Sequence, residues 1–193
     1  MNLKVFDICR EGTHVLGPGN RYVVWVQGCL QRCRGCITPE SRTLDGGITI
    51  NTADLAADII LADNIDGITI SGGEPFLQSE ALANMLDEVR KTRPELTVII
   101  YTGYQLEILN SLPKGKELIK CADVIIDGPY IENLNDNRGI RGSSNQRINS
   151  VTTRLDSFIS QMEHGRRKQS RVMREDGMVT AIGVPSRHIS KKK

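Results

Sequence analysis

The chain has 193 residues, 39% of them hydrophobic, which is enough to bury one good core. No apolar stretch approaches the roughly 20 residues that a membrane-spanning helix needs. The 25 basic and 23 acidic residues nearly balance and are spread along most of the chain, so charge gives no argument for a nucleic-acid partner. We therefore expect a cytoplasmic protein that acts on neither membranes nor nucleic acids.

Strand-like and helix-like segments alternate through the first half of the chain. Residues 21–27 (RYVVWVQ) are rich in β-branched and aromatic side chains and predict a strand. Asn51 is suited to cap a helix that carries Leu55 and Ile59 on one face. A second short strand is predicted over residues 67–71.

The same alternation continues to residue 127. Ser79 is expected to cap the clearest helix, which ends before Pro94 and has a regular apolar face (Leu82, Met85, Leu86 and Val89). Residues 96–102 predict a third strand and residues 123–127 a fourth. Between them, residues 105–120 predict a helical segment that is interrupted near Pro113 and Gly115.

Apolar strands separated by helices predict an α/β fold with a parallel sheet covered by helices. An unusual segment follows each predicted strand: a cysteine loop, then Gly72 to Pro75, Gly103-Tyr104 and Gly128 to Tyr130. The carboxyl ends of parallel strands share one edge, where α/β proteins place their active sites. We therefore expect the four segments to converge there.

The cysteine loop is the most informative feature of the sequence. Cys29, Cys33 and Cys36 have the spacing C-x3-C-x2-C, one cysteine fewer than a closed metal site requires. An iron–sulfur cluster held by three thiolates leaves one iron without a protein ligand, and that iron can take part in chemistry. The spacing therefore favours a reactive cluster.

Other uses of these cysteines are less favoured. Zinc would need a fourth ligand, and Cys9, Cys121 and His14 do not form a second closely spaced pair. Disulfides are disfavoured because five cysteines are an odd number and the first residues do not resemble a secretory signal. Cys9 and Cys121 are interpreted as ordinary buried thiols.

Residues 151–193 are predicted to form an extension to a core of residues 1–150. Leu155, Phe158, Ile159 and Met162 have helical spacing, and Gly165 can end that helix. Residues 171–184 predict two strands that turn at Asp176-Gly177. We expect the helix to pack over one edge of the core, whereas the hairpin could pack there or dock a partner.

The cysteine loop and Gly72 to Pro75 together resemble the radical S-adenosylmethionine (SAM) superfamily. A closer resemblance, from about Val15 to Arg147, is to the family of activating proteins of anaerobic ribonucleotide reductases. It rests on four further segments: Gly17 to Arg21, Thr102 to Tyr104, Asp127-Gly128 and Arg141 to Gln146. Gly35 departs from the aromatic residue of many superfamily members but agrees with this family, which usually ends before an extension like this one.

The resemblance implies an incomplete radical SAM β/α barrel in which Cys29, Cys33 and Cys36 bind a [4Fe–4S] cluster. It also implies SAM as a cofactor, with Gly35 and Ile37 on the adenine side. Gly72 and Gly73 would let the backbone approach the methionine part, and Glu74 could accept a hydrogen bond from its ammonium group or hold the loop.

The implied activity is that of a radical SAM oxidoreductase that installs a glycyl radical in a protein partner, with an external one-electron reductant such as flavodoxin. Direct modification of a peptide or another substrate is one alternative. An iron–sulfur electron-transfer or scaffold protein is another, which Gly72 to Pro75 argue against. Asp127 is expected either to cap the strand end or to face the substrate. Residues 138–146 are interpreted as a lid, a partner surface or an exposed loop.

Overall fold

The computed structural model describes residues 1–173 and 179–184. Within them, no helix is long and apolar enough to cross a membrane. The described strands are β1 (Asn2–Thr13), β2 (Arg21–Val26), β3 (Ile48–Asn51), β4 (Gly67–Gly72), β5 (Thr97–Tyr101), β6 (Val124–Asp127), β7 (Arg147–Ser150), β8 (Ser170–Met173) and β9 (Val179–Ile182). The α-helices are α1 (Thr52–Leu61), α2 (Ser79–Thr92), α3 (Leu106–Leu109), α4 (Gly115–Lys120) and α5 (Ile159–His164).

Seven strands form one mixed sheet in the order β3-β1-β2-β4-β5-β6-β7. The four central strands, β2, β4, β5 and β6, are parallel, and they are the four that the sequence predicted. Strands β1, β3 and β7 pair antiparallel at the flanks and were not predicted. The α/β class is therefore confirmed, with antiparallel edges added to the parallel centre.

The strands that were not predicted either contain charged residues among the apolar ones or are very short. In β1, Asp7, Arg10 and Glu11 interrupt the apolar pattern, so no continuous hydrophobic run marks the strand. Strand β7 has the sequence RINS and pairs with β6 through residues 147–150. Its conformation depends on the neighbouring strand more than on intrinsic propensity.

The helix boundaries follow most of the predicted signals. Asn51 caps α1, since its side-chain oxygen accepts a hydrogen bond from the backbone N–H of Ala53 at 2.9 Å. The prediction that Ser79 caps α2 was wrong: Ser79 is the first helical residue, and its hydroxyl donates to the carbonyl of Phe76 at 2.8 Å. A short 3-10 turn, Pro75–Gln78, leads into α2.

The two faces of the sheet have different coverings. Helices α1, α2 and α4 cover one face, where Val24, Ile70 and Ile100 join the main core. Because successive strand residues point to opposite faces, Val23 and Ile99 lie on the second face. That second face is covered by smaller apolar clusters, which include residues of the C-terminal extension.

Arg21 holds the amino ends of the parallel strands together. Its guanidinium is fully buried and donates to the hydroxyls of Thr69 and Thr97 and to the carbonyl of Ile68. Burial lowers the pKa of Arg21 to about 10, so the group remains protonated at neutral pH. A buried cation here is satisfied by neutral hydrogen-bond acceptors on β4 and β5.

The extension packs on the second face of the sheet. Leu155 and Met162 are buried in one cluster with Val124 and Ile126. Phe158 is 39% exposed, however, because residues 153–158 form a 3-10 turn in place of the predicted α-helix. Strands β8 and β9 pair antiparallel, as the hairpin prediction required; the predicted turn at Asp176-Gly177 lies outside the described residues.

A buried carboxylate fixes the point where the extension begins. Asp123 Oδ2 accepts a hydrogen bond from the backbone N–H of Val98 at 2.7 Å, and Oδ1 accepts one from the Thr152 hydroxyl at 2.6 Å. The Arg154 guanidinium lies 3.4 Å from the same carboxylate. The first residues of the extension are thereby tied to β5 and β6.

Shortening Leu155 should destabilise the protein. We expect Leu155→Ala to lower the free energy of unfolding by about 2–5 kcal/mol, because the side chain is 4% exposed and the substitution leaves a cavity. The matched change Phe158→Ala should cost less than about 1 kcal/mol because that ring is partly in solvent. Chemical denaturation of both variants measures the difference, and equal losses would contradict this account of the packing.

Candidate functional site

A cleft of about 260 Å³ lies at the carboxyl ends of the four parallel strands. Cys29, Cys33 and Cys36 all line it, together with residues that follow β4, β5 and β6: Gly72, Gly73, Glu74, Thr102, Gly103, Gly128 and Tyr130. The structure thus brings the cysteine loop and the three glycine-containing segments to one rim. This is the arrangement expected from strands that run parallel.

Backbone hydrogen bonds fix the start of the cysteine loop. The N–H of Gly28 donates to the carbonyl of Ser41 at 2.7 Å, and the N–H of Cys29 donates to the carbonyl of Arg42 at 3.0 Å. The N–H of Cys36 donates to the Cys33 carbonyl at 3.3 Å, which makes a turn between them. These bonds fix the backbone at both ends of the loop, and all three cysteines line the same cleft.

The other cysteines are separate from this group. All five cysteines are free, but Cys9 and Cys121 are buried in apolar surroundings and do not line the cleft. The three loop cysteines are only partly buried. Burial raises the pKa of the Cys29 thiol, so a bound cation would be needed to favour its thiolate.

The chemistry of the donor set fits an iron–sulfur cluster better than a single ion. Within the described residues, no group of three His, Cys, Asp or Glu side chains is arranged to hold one metal ion. The residues Cys29, Cys33 and Cys36 line the cleft, and His14 does not. Three thiolates suit a cluster, in which each thiolate binds a different iron.

Glu74 joins the ends of two further strands. Its Oε1 accepts hydrogen bonds from the N–H of Phe76 at 3.1 Å and from the Thr102 hydroxyl at 2.7 Å, and Oε2 accepts one from the N–H of Gly103 at 2.8 Å. The residue is 1% exposed. Burial raises the pKa of Glu74 to about 6 although these three donors oppose the shift. Of its two expected uses, this geometry directly supports holding the loop.

Gly72 and Gly73 are required by contacts within the chain. Gly72 has φ of +99°, and a Cβ there would lie 2.5 Å from the backbone nitrogen of Val26. A Cβ on Gly73 would lie 2.3 Å from the carbonyl oxygen of Gly28. Both glycines therefore pack closely against the strand end that carries the cysteine loop.

A match to a known family covers this region. Residues 15–149 match the family model described as a 4Fe-4S single cluster domain. The chain belongs to that family.

Three relatives of this protein share one name. An anaerobic ribonucleoside-triphosphate reductase-activating protein of Enterobacteria phage T4 is 37% identical over 142 residues, covering 72% of this chain and 88% of the phage protein. The proteins of that name from Haemophilus influenzae and Escherichia coli K12 are 31% and 32% identical. Those two alignments cover 68% and 71% of this chain and 88% and 92% of the relatives.

The remaining predicted site residues of the 4Fe-4S domain divide into two groups. Ile37 lines the cleft, whereas Gly35 is exposed outside it, with φ of +74°. Asp127 is buried and does not line the cleft. Its carboxylate accepts a hydrogen bond from the N–H of Leu106 at 2.7 Å and pairs with Arg147, so the geometry supports the capping role.

The polar segment that precedes β7 is part of the cleft wall. The Gln146 side chain accepts hydrogen bonds from the N–H groups of Gly142 and Ser143 and donates to the carbonyl of Gly128. Both Gly142 and Gln146 line the cleft. This segment is therefore internally bonded, unlike the exposed loop that its composition could also indicate.

Sequence reasoning missed one side of the cleft. Trp25 was placed in a strand without a role, and the contributions of Phe6 and Leu16 were not predicted. Residues 181–184, from β9 and the two residues after it, also line the cleft. The alternation of Trp25 with buried neighbours indicated that it faces away from the helices, but only the tertiary fold brings residues 181–184 beside it.

Adding one methyl group at Gly73 should disturb the cysteine loop. We expect Gly73→Ala to lower the melting temperature and the amount of bound iron, because the new Cβ meets the backbone of Gly28 beside Cys29. Gly103→Ala is the matched control, since its Cβ would meet the flexible Gln31 side chain at 3.0 Å and Oε2 of Glu74 at an ordinary contact distance of 3.5 Å. A Gly73→Ala protein with wild-type stability and iron content would refute this role.

Proposed function

We propose that this protein is a radical SAM enzyme that activates an anaerobic ribonucleotide reductase by generating a glycyl radical in it. The observation that carries the proposal is the lining of one cleft by Cys29, Cys33 and Cys36, inside a 4Fe-4S single cluster domain. The names of the relatives support the same activity and partner. The proposed cofactors are a [4Fe–4S] cluster and SAM.

Cys29, Cys33 and Cys36 would hold the cluster and leave one iron open to SAM. The chemistry that such a bound, reduced cluster would supply is one-electron cleavage of the C5′–S bond of SAM, which would yield methionine and a 5′-deoxyadenosyl radical able to abstract a hydrogen atom. The protein's contribution is to bring the reacting groups together and to limit side reactions.

The residues after β4 would position the methionine part of SAM. The carboxylate of Glu74 fixes this loop against Thr102 and Gly103. The N–H of Gly73 donates to the carbonyl of Val26 at 2.7 Å, and the N–H of Glu74 donates to that of Gly28 at 2.7 Å. A loop held at both ends costs less entropy when it binds a ligand. Gly72 and Ile37 are proposed to complete the SAM contacts.

An acceptor of the radical must reach the cleft from outside. The cleft is open at the rim of the sheet and its lining includes the aromatic residues Trp25, Tyr101 and Tyr130. We propose that a loop of the reductase enters here, and that an external one-electron donor such as flavodoxin reduces the cluster. The partial barrel formed by the central strands would leave this side accessible.

Anaerobic reconstitution should load one oxygen-sensitive [4Fe–4S] cluster per chain. We expect Cys29→Ala, Cys33→Ala and Cys36→Ala each to abolish it, because each removes a ligand. Cys9→Ala and Cys121→Ala are matched controls that should retain it, since these thiols lie outside the cleft. Iron and sulfide analysis with absorption spectroscopy provides the measurement, and full occupancy in Cys33→Ala would refute the ligand assignment.

The reduced protein should cleave SAM to methionine and 5′-deoxyadenosine. Chromatography after dithionite reduction detects both products. When the protein is mixed with an anaerobic ribonucleoside-triphosphate reductase from the same source, electron paramagnetic resonance should show a stable glycyl-type signal in the reductase. If no 5′-deoxyadenosine forms under strictly anaerobic conditions, a scaffold role is favoured. If SAM is cleaved and a peptide changes in mass at a side chain, direct modification is established.

A further inference from the structure

The C-terminal extension contributes directly to the cleft, although the family model ends at residue 149. We propose that residues 181–184, held in place by the rest of the extension, form a wall that determines which substrates reach the cleft, and that this wall admits a slender, uncharged polypeptide segment. The inference rests on the proposed function and names the substrate class for that site.

The first anchor of this wall is apolar. Ile182 at the end of β9 is 2% exposed and belongs to a cluster with Leu16 and Val23 on the second face of the sheet. Trp25 packs against the same cluster. Strand β8 is tied to β1 by a hydrogen bond of 3.1 Å between the hydroxyls of Ser170 and Thr13. The hairpin is thus seated on the two strands beside the cleft.

The second anchor is the segment between α5 and β8. The guanidinium of Arg167 donates to the carbonyl of Arg141 at 2.6 Å and to Oδ1 of Asn135 at 2.6 Å. The N–H of Gly139 donates to the carbonyl of Gly165 at 2.7 Å. These bonds join the extension to the polar segment that carries the cleft residues Gly142 and Gln146. The extension therefore contacts the fold on two sides of the cleft.

The composition of the wall indicates what can pass it. Ala181, Ile182, Gly183 and Val184 are uncharged, and two of them are among the smallest residues. A charged group placed against them would lose hydration without gaining a partner. The cleft volume of about 260 Å³ is slightly below the usual range for ligand sites, so a bound cofactor would leave little room beside it. A narrow stretch of backbone with small side chains is the macromolecular substrate that fits the remaining space.

The single tryptophan of the chain reports whether the wall is in place. We expect Ile182→Ala to increase acrylamide quenching of Trp25 fluorescence about twofold in the full-length, cluster-loaded protein, because the substitution removes packing over the indole. Val179→Ala is the matched control on the same strand; Val179 is 61% exposed, does not line the cleft and should leave quenching unchanged. Equal quenching in the wild type and Ile182→Ala would overturn the proposal that residues 181–184 cover this side of the cleft.

The effect on substrate entry is measured as a ratio. We expect Ala181→Phe to lower the glycyl radical formed in the reductase per 5′-deoxyadenosine released by about tenfold, since a ring at the wall displaces the entering segment. Val179→Phe should keep the wild-type ratio. A merely destabilised enzyme would lose both products together, so an unchanged ratio in Ala181→Phe would overturn the substrate role. If the wild type forms no radical, the proposed function fails. The quenching experiment still tests whether residues 181–184 form the wall, because it does not depend on radical formation.

Discussion

The buried carboxylate of Glu74 is the constraint on which the cleft depends. The carboxylate accepts hydrogen bonds from the 3-10 turn that follows β4 and from the residues that follow β5. The backbone N–H of Glu74 donates to the carbonyl of Gly28, two residues after the end of β2. Three parallel strands are thereby held at fixed separations at their carboxyl ends. The cysteine loop starts from one of these ends, so its position follows from the same set of bonds.

The sequence was sufficient to predict those elements whose conformation is set by residues close by in the chain. Each central strand is a continuous apolar run, and the cap of α1 is formed by Asn51 and its near neighbours, so these features were predicted. Strand β7 depends on its pairing with β6, about 20 residues earlier in the chain, and it was missed. The contact of Gly73 with the backbone of Gly28 was not predicted, because the two residues are distant in the chain and meet only in the folded structure.

The two faces of the sheet explain why the extension can matter for the site. Side chains from α1, α2 and α4 pack on the first face, and the residues that line the cleft, such as Trp25 and Tyr101, lie on the second. Leu155 and Met162 cover the part of that face nearest β6, and Ile182 covers the part nearest β2. The extension therefore supplies part of the core and part of the cleft lining at once, and its sequence is constrained by both.

The attachment of the extension at Asp123 has a consequence for motion. A swinging lid needs a hinge whose backbone can rotate, but here Thr152 and Arg154 are bonded to a carboxylate at the base of the sheet. Rotation at that point would remove the hydroxyl of Thr152 and the guanidinium of Arg154 from the buried Asp123 carboxylate, which is costly. Widening the cleft on this side would therefore proceed by local unfolding of the hairpin, on the slower timescale of such opening events.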